Sequence, residues 1–211
     1  IGVTAGAKQA LFAIFQIILN PSEEVIIPMP AWVSYEHQVR LANGQPIFAS
    51  LKSDFDLDIQ AIKNKISSKT KAIILNSPHN PTGKIFSPAS LKNLAQFLKN
   101  KKIFVVIDDI YNKLIYTKNY LSLATYFSDK KYLILINGFS KSQALTGWRI
   151  GYMVADRKII EMVNRFQSQA CGNPSVISQL AALEALKKGE PVQEWLRILK
   201  KRRDIVIKAL H

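Results

Sequence analysis

Lys141 stands just past the apolar run "YLILINGF", flanked by Ser140 and Ser142, and Arg149 follows about two helical turns later, beyond Gly147. A lysine at the end of an apolar strand is poor core packing, because a buried amine without a partner is costly. It could be a nucleophile, since partial desolvation and neighbouring cations favour the neutral amine that condenses with a carbonyl. It could equally be an exposed lysine that binds phosphate or water. Arg149 supplies a cation whose planar fork suits a phosphate. Asp108 lies in a second apolar run, "IFVVIDD", with Tyr111 close behind it, and Asn80 sits in the turn-forming "HNPTG". At the start of the chain, "TAGAKQ" puts Gly6 and Ala7 immediately before a helical run. Small residues there let an anion approach the free amides at the positive end of a helix dipole, although a tight turn with no ligand reads the same.

The elements that must position these residues alternate along the chain. "EVIIPMP", "QPIFASL", "KAIILNSP", "IFVVIDD", "YLILINGF" and "IGYMVA" read as strands, rich in β-branched residues. Between them "KQALFAIFQIIL", "DIQAIKNKI", "PASLKNLAQFLKN", "RKIIEMVNRFQSQ" and "SVISQLAALEALKKG" carry apolar residues three or four apart and read as helices. "KAIIL" and "FVVI" are apolar on both faces, which suits a mostly parallel sheet with helices on each side, an α/β fold. In such sheets ligands bind beyond the carboxyl ends of the strands. There the chain changes character: "EVII" runs into "PMPAW", "KAIIL" into "NSPHNPTG", "FVVI" into "DDIY" and "LILI" into "NGFSK".

Composition narrows the classes. The formal charge of +14 raises nucleic-acid binding, but the lysines are scattered over helix faces and only "LKKRRD" is dense. No zinc-finger spacing or RNA-binding aromatic signature accompanies them, so we expect solvated helix faces, with no nucleic-acid partner and no metal. Apolar runs fall far short of the roughly 18 residues that span a bilayer, and no charged leader precedes one; we expect no membrane partner. Cys171 stands alone, fits a reducing compartment such as the cytoplasm, and reads as a small buried or half-buried apolar residue. The chain opens directly on a strand and helix and stops inside the amphipathic "EWLRILKKRRDIVIKALH", with no stop signal at either end. A piece of a longer protein is the expectation.

The residues at the strand ends complement one cofactor. A carboxylate can hold a pyridine nitrogen protonated, a phenol and an amide can bond a ring oxygen, an aromatic can cover the ring face, and arginine with helix amides can hold a phosphate. Pyridoxal phosphate presents all of those groups. "NSPHNPTG", "DDIY", "SKSQALTGWRIGY" and "PAWVSY" together resemble the motifs of the class I aminotransferases, the fold-type I enzymes related to aspartate aminotransferase, in family order and over essentially the whole chain. That resemblance implies a three-layer α/β/α large domain spanning residues 1–211, and a pyridoxal-phosphate-dependent transaminase. It implies that Lys141 is the Schiff-base and proton-shuttling residue and that Asp108 pairs with the pyridine nitrogen. Tyr111 and Asn80 would bond the ring hydroxyl, and Trp32 would stack on the ring. The phosphate would fall to Arg149, Ser140 and the amides of Gly6, Ala7 and Lys8.

The resemblance has gaps. Many relatives carry a serine where this chain has Gly138, which removes one phosphate hydrogen bond. In the subgroup with turns like "GAKQ" and "PAWVSY", the lysine matching Lys8 is associated with a distal substrate carboxylate. That implies aspartate, glutamate or a dicarboxylate such as prephenate or arogenate, with Lys8, Trp32 and Asn80 against the substrate. An N-terminal segment and a C-terminal small domain, which carries the arginine for the substrate's α-carboxylate, are expected to be missing. The resemblance therefore implies a homodimer for the full-length protein and weak or no turnover by this piece. Within the same fold a carbon–sulfur lyase, or the aminotransferase-like effector domain of a transcriptional regulator, are the competing readings.

Overall fold

The computed structural model describes residues 1–116, 120–128, 130–189 and 192–210. Strands β1 (Gly2–Thr4), β2 (Glu24–Met29), β3 (Gln45–Ser50), β4 (Thr70–Asn76), β5 (Phe104–Asp108), β6 (Leu133–Gly138) and β7 (Gly151–Val154) form one seven-stranded sheet. Its helices are α1 (Ala7–Ile18), α2 (Ser34–Leu41), α3 (Ile59–Lys65), α4 (Pro88–Leu98), the single turn α5 (Phe139–Ser142), α6 (Arg157–Ala170), α7 (Val176–Lys188) and α8 (Val192–Leu210). The strand order is β1-β7-β6-β5-β4-β2-β3. Neighbours from β6 to β3 run parallel, and β7 is antiparallel to both β6 and β1.

Alternation along each central strand divides the core in two. In β4, Ala72 and Ile74 face one side while Ile73 and Leu75 face the other, and β2 and β5 split the same way. One face packs on α1, α2 and α6 through Leu11, Ile14, Phe15, Tyr35, Val39 and Val163. The other packs on α3 and α4 through Ile62, Leu91, Leu94 and Leu98. This is the expected three-layer α/β/α arrangement, and burial on both faces explains why β4 and β5 are continuous apolar runs.

Side-chain caps start most of the expected helices. Asp58 accepts from Ala61 N–H at 2.9 Å, Ser87 from Ser90 N–H at 3.1 Å with Pro88 opening α4, and Asp156 from Lys158 N–H at 2.9 Å. Helix α2 was not among the expected helices. It has no side-chain cap, and it buries only Tyr35, Gln38 and Val39, so its apolar stripe is a single aliphatic residue flanked by two polar-tipped ones. Cys171 departs from expectation too. It is exposed just past α6, where its sulfur accepts a hydrogen bond from Gln9 Nε2 at 3.3 Å. The basic run near the end lies on the exposed α8, whose Arg203 guanidinium sits 4.7 Å from the centre of the Tyr116 ring. Among the described residues no helix is long and apolar enough to cross a membrane, and no group of acidic, histidine or cysteine side chains could hold a metal ion.

Candidate active site

Parallel pairing sets the last residues of adjacent strands side by side. Asn76 at the end of β4 is in register with Asp108 at the end of β5, which is in register with Ile136 on β6. The chain leaves these ends into a cleft of about 520 Å³ lined by Ala7, Lys8, Trp32, Asn80, Asp108, Tyr111, Ser140, Lys141 and Arg149 among others. All of the expected site residues except Gly6 line it, and Gly6 lies in the turn directly beneath Arg149.

Asp108 is the buried centre of the cleft, 3% exposed. Its Oδ2 accepts from the Tyr35 hydroxyl at 2.7 Å and its Oδ1 from Ile110 N–H at 3.2 Å. Burial pushes its carboxyl up from the ordinary 3.8 to about 6; the Tyr35 and Ile110 hydrogen bonds oppose that rise and the neighbouring Asp109 adds to it. At neutral pH the group is an ionised acceptor in a dry setting, which suits a cationic donor. Asn76 ties the surroundings together: its Nδ2 donates to Asp108 O at 2.8 Å and its Oδ1 accepts from Asn80 N–H at 2.8 Å. Asn80 Nδ2 in turn donates to the Tyr111 hydroxyl at 3.3 Å, so the two residues expected to share a ring oxygen do meet. Burial and the Asp108 charge raise the Tyr111 phenol above its ordinary value, which keeps it a neutral donor.

Asp109 anchors the segment that carries Tyr111. It is buried, its N–H donates to Ile136 O at 2.8 Å, and its carboxylate accepts from Ser122 Oγ at 2.7 Å. The Tyr120 hydroxyl lies 2.9 Å from Asp109 Oδ1 and 2.6 Å from Ser77 O, fastening this segment to the end of β4.

Lys141 sits in α5, directly after β6, with its Nζ 5.6 Å from the centre of the Tyr111 ring. Its side chain is exposed, the second of the two environments that the sequence leaves open. Helix α5 ends after one turn, and the chain doubles back so that Arg149, at φ 50, reaches the first turn of the protein. Arg149 Nη1 donates to Thr146 O at 3.1 Å and Nη2 to Ala5 O at 3.3 Å, while Thr146 Oγ1 donates to Ser140 O at 3.0 Å.

The turn before α1 shows why glycine is needed there. Gly6 has φ 85, and a Cβ on it would lie 2.6 Å from Arg149 Nη2. Its own N–H donates to Thr4 O at 2.8 Å, so the expected phosphate contact from the Gly6 amide is corrected: that donor is already used. The N–H groups of Ala7 and Lys8 open the helix and have no intrahelical acceptor. Gly151 on β7 lets this turn close against the sheet, because a Cβ there would lie 2.8 Å from Ala7 N. Lys8 Nζ stands 5.0 Å from the centre of the half-buried Trp32 ring, whose indole meets Tyr35 edge-on at 5.3 Å and 84°.

Residues that reasoning from the sequence missed are therefore Tyr35, Asn76 and Thr146. Tyr35 follows Trp32 by one helical turn in "PAWVSY", a spacing that puts both on one side once a helix is known to begin there. Asn76 depends on strand register, which no local pattern carries.

The donor set fits pyridoxal phosphate. A helix-opening turn with two unbonded N–H groups, an arginine and a serine suit a phosphate, and a buried aspartate ionised at neutral pH suits a pyridinium. The fold, a mostly parallel seven-stranded sheet flanked by helices, is that of the fold-type I class. The chain belongs to the class I and II aminotransferases, whose family description matches residues 1–211, and which depend on pyridoxal phosphate. It is 38% identical to the aspartate aminotransferase of Sulfurisphaera tokodaii over 99% of this chain and 53% of that protein. It is 41% identical to the probable aspartate/prephenate aminotransferase of Rickettsia bellii over 99% of this chain and 54% of that one. The crystal structure of aspartate aminotransferase from Thermotoga maritima superposes with a TM-score of 0.93 at 34% identity, covering 99% of this chain and 56% of that chain. The chain thus spans about half the length of the relatives it matches.

Proposed function

We propose that residues 1–211 are the cofactor-binding domain of a pyridoxal-phosphate-dependent transaminase that moves an amino group from an acidic amino acid to a 2-oxo acid. The observation that carries this reading is that one cleft gathers Lys141, a buried Asp108, Arg149 and the Ala7–Lys8 start of α1. Bound pyridoxal phosphate supplies an electron sink that makes the α-carbon of an attached amino acid acidic. Asp108 holds a proton on the ring nitrogen, because its burial makes a lone negative charge costly and an ion-paired one favourable. Asn80 and Tyr111 orient the ring through its hydroxyl, and Trp32 covers a ring face. Arg149, Ser140 and the N–H groups of Ala7 and Lys8 bind the phosphate. Lys141 would supply the amine that holds the cofactor and, once freed from it by the substrate's own amino group, the base that moves a proton at the substrate's α-carbon.

Lys8 on the cleft wall, with the aspartate and aspartate/prephenate names of the relatives, supports a substrate bearing a second carboxylate. Cytoplasmic residence and homodimerisation of the whole protein belong to the same proposal, as does slow turnover by the 211-residue chain alone. The test is to add pyridoxal phosphate, reduce with borohydride and digest. A visible band lost on reduction and a pyridoxyl mass on the Lys141 peptide are expected, both absent from Lys141→Ala. Modification spread evenly over surface lysines, and unchanged in that variant, overturns the assignment.

A further inference from the structure

Tyr35 has no role in the chemistry above, yet it makes the shortest contact to Asp108 and is itself only 3% exposed. It belongs to α2, in the opposite layer from α3 and α4, and it reaches the end of β5 across the first core cluster. Its hydroxyl takes Asp108 Oδ2, Ile110 N–H takes Oδ1, and the Asp108 carbonyl is held by Asn76, so the aspartate is clamped through every oxygen it has. The same ring braces Trp32 edge-on. The geometry points to Tyr35 as the positioning residue that aims Asp108 into the cleft and keeps it charged for a protonated ring nitrogen, an inference that rests on the proposed pyridoxal phosphate site.

The physical argument is an imbalance of forces on one carboxyl. Burial and the adjacent Asp109 favour the neutral acid; a donor to the ionised form opposes them. The titratable groups facing Asp108 are Tyr35 from α2, with Tyr111 and Asp109 from the segment leaving β5; Lys8, Lys141 and Arg149 line the same cleft. Burial and the Asp108 charge together drive the Tyr35 phenol well above its ordinary value, so it stays a neutral donor at every working pH. Without that hydroxyl Asp108 titrates at higher pH, and a neutral acid would face the ring nitrogen.

The test uses Tyr35→Phe, which keeps the ring and its contact with Trp32. Aspartate carboxyl carbons labelled with ¹³C, with Asp108→Asn identifying the resonance, are titrated by NMR without cofactor. The expected result is an upward move of the Asp108 midpoint by about one to two pH units. A midpoint that is unmoved or lowered overturns the inference. Should Tyr35→Phe fail to fold, 3-fluorotyrosine placed at position 35, a stronger donor, is expected to lower the midpoint, and no change again overturns it. A second readout is pyridoxal 5′-phosphate affinity by quenching of tryptophan fluorescence. Tyr35→Phe is expected to bind about two- to tenfold more weakly at pH 7 and to approach wild type at pH 9, where both carboxyls are ionised. A pH-independent loss marks a merely structural role and overturns it. Failure of the wild-type protein to bind the cofactor would defeat the proposed function, while the NMR titration would still decide the role of Tyr35.

Discussion

Replacing Asp108 by Asn should make the cofactor-free protein more stable at neutral pH while weakening its hold on pyridoxal phosphate. Burial holds the Asp108 carboxyl at about 6, against 3.8 for an ordinary aspartate. Between those two values the folded chain keeps a proton that the unfolded chain has released. The stability owed to this group is therefore fully present below 3.8 and is lost as pH rises through about 6. A rise of about two units, at about 1.4 kcal/mol per unit, makes the ionised group cost the fold about 3 kcal/mol at pH 7.5. Asn removes the charge and keeps the shape: its carbonyl can accept from Ile110 N–H while its amide donates to the Tyr35 oxygen. Urea unfolding followed by circular dichroism from pH 4 to pH 8 measures the difference between the two proteins. Groups that titrate identically in both cancel, so the pH dependence of the difference belongs to Asp108. The variant should gain about 2.5 kcal/mol relative to wild type between pH 4 and pH 7.5, most of it between pH 4 and 6. A difference that stays flat across this range, or grows in the other direction, would refute burial as the force acting on Asp108.

Two further substitutions test how the fold supports the site. Gly6→Ala should destabilise the protein by about 1–3 kcal/mol, from a left-handed φ of 85 that alanine resists and a Cβ placed 2.6 Å from Arg149 Nη2. Thermal unfolding checks it, and because Arg149 is exposed and able to shift, the loss should persist in a Gly6→Ala, Arg149→Ala double variant. Asp56→Ala should cost about 2–3 kcal/mol at pH 7, because the buried carboxylate accepts from Ser87 N–H at 3.0 Å and Ser90 Oγ at 2.7 Å at the start of α4. Burial works to raise this carboxyl, but those hydrogen bonds outweigh it and leave it below 3.8; its stabilisation is present above that value and is lost as pH falls through the lower one. Urea unfolding of Asp56→Ala and wild type should accordingly converge well below pH 4.

The parts of the site that could be read from residues alone are those where a strand ends in a polar side chain. Asp108 and Lys141 announce themselves because an ionisable group directly after a two-sided apolar strand has few structural uses, and Asn80 and Gly6 because their turns have strong local preferences. What stayed hidden depends on relations between elements. Asn76 becomes part of the site through its register with Asp108, and register between parallel strands joined by long crossovers leaves no mark within either strand. Tyr35 was invisible because α2 itself was: a short helix with Val39 as its sole buried aliphatic residue has almost no periodic signal, and its stability comes from packing on α1 and the sheet. The exposure of Lys141 and the engaged amide of Gly6 are likewise tertiary facts, set by how α5 terminates and how Thr4 turns.

The visible and hidden residues are nevertheless two halves of one arrangement. Asp108 closes a central strand covered by helices on both faces and is itself buried, so its acid is pushed toward its neutral form. Asp108 is informative in the sequence for that reason, and the same burial would defeat its use as an anion unless something opposed it. The opposition has to come from a donor that is itself buried and does not ionise, and a phenol on the covering helix satisfies both conditions where a lysine or arginine would carry its own desolvation cost. Tyr35 occupies that place, 2.7 Å from Oδ2 and almost wholly shielded from solvent. The charge that the sheet makes costly is thus tempered by the layer that makes the sheet dry, which is why the site needs α2 as much as it needs the strand ends.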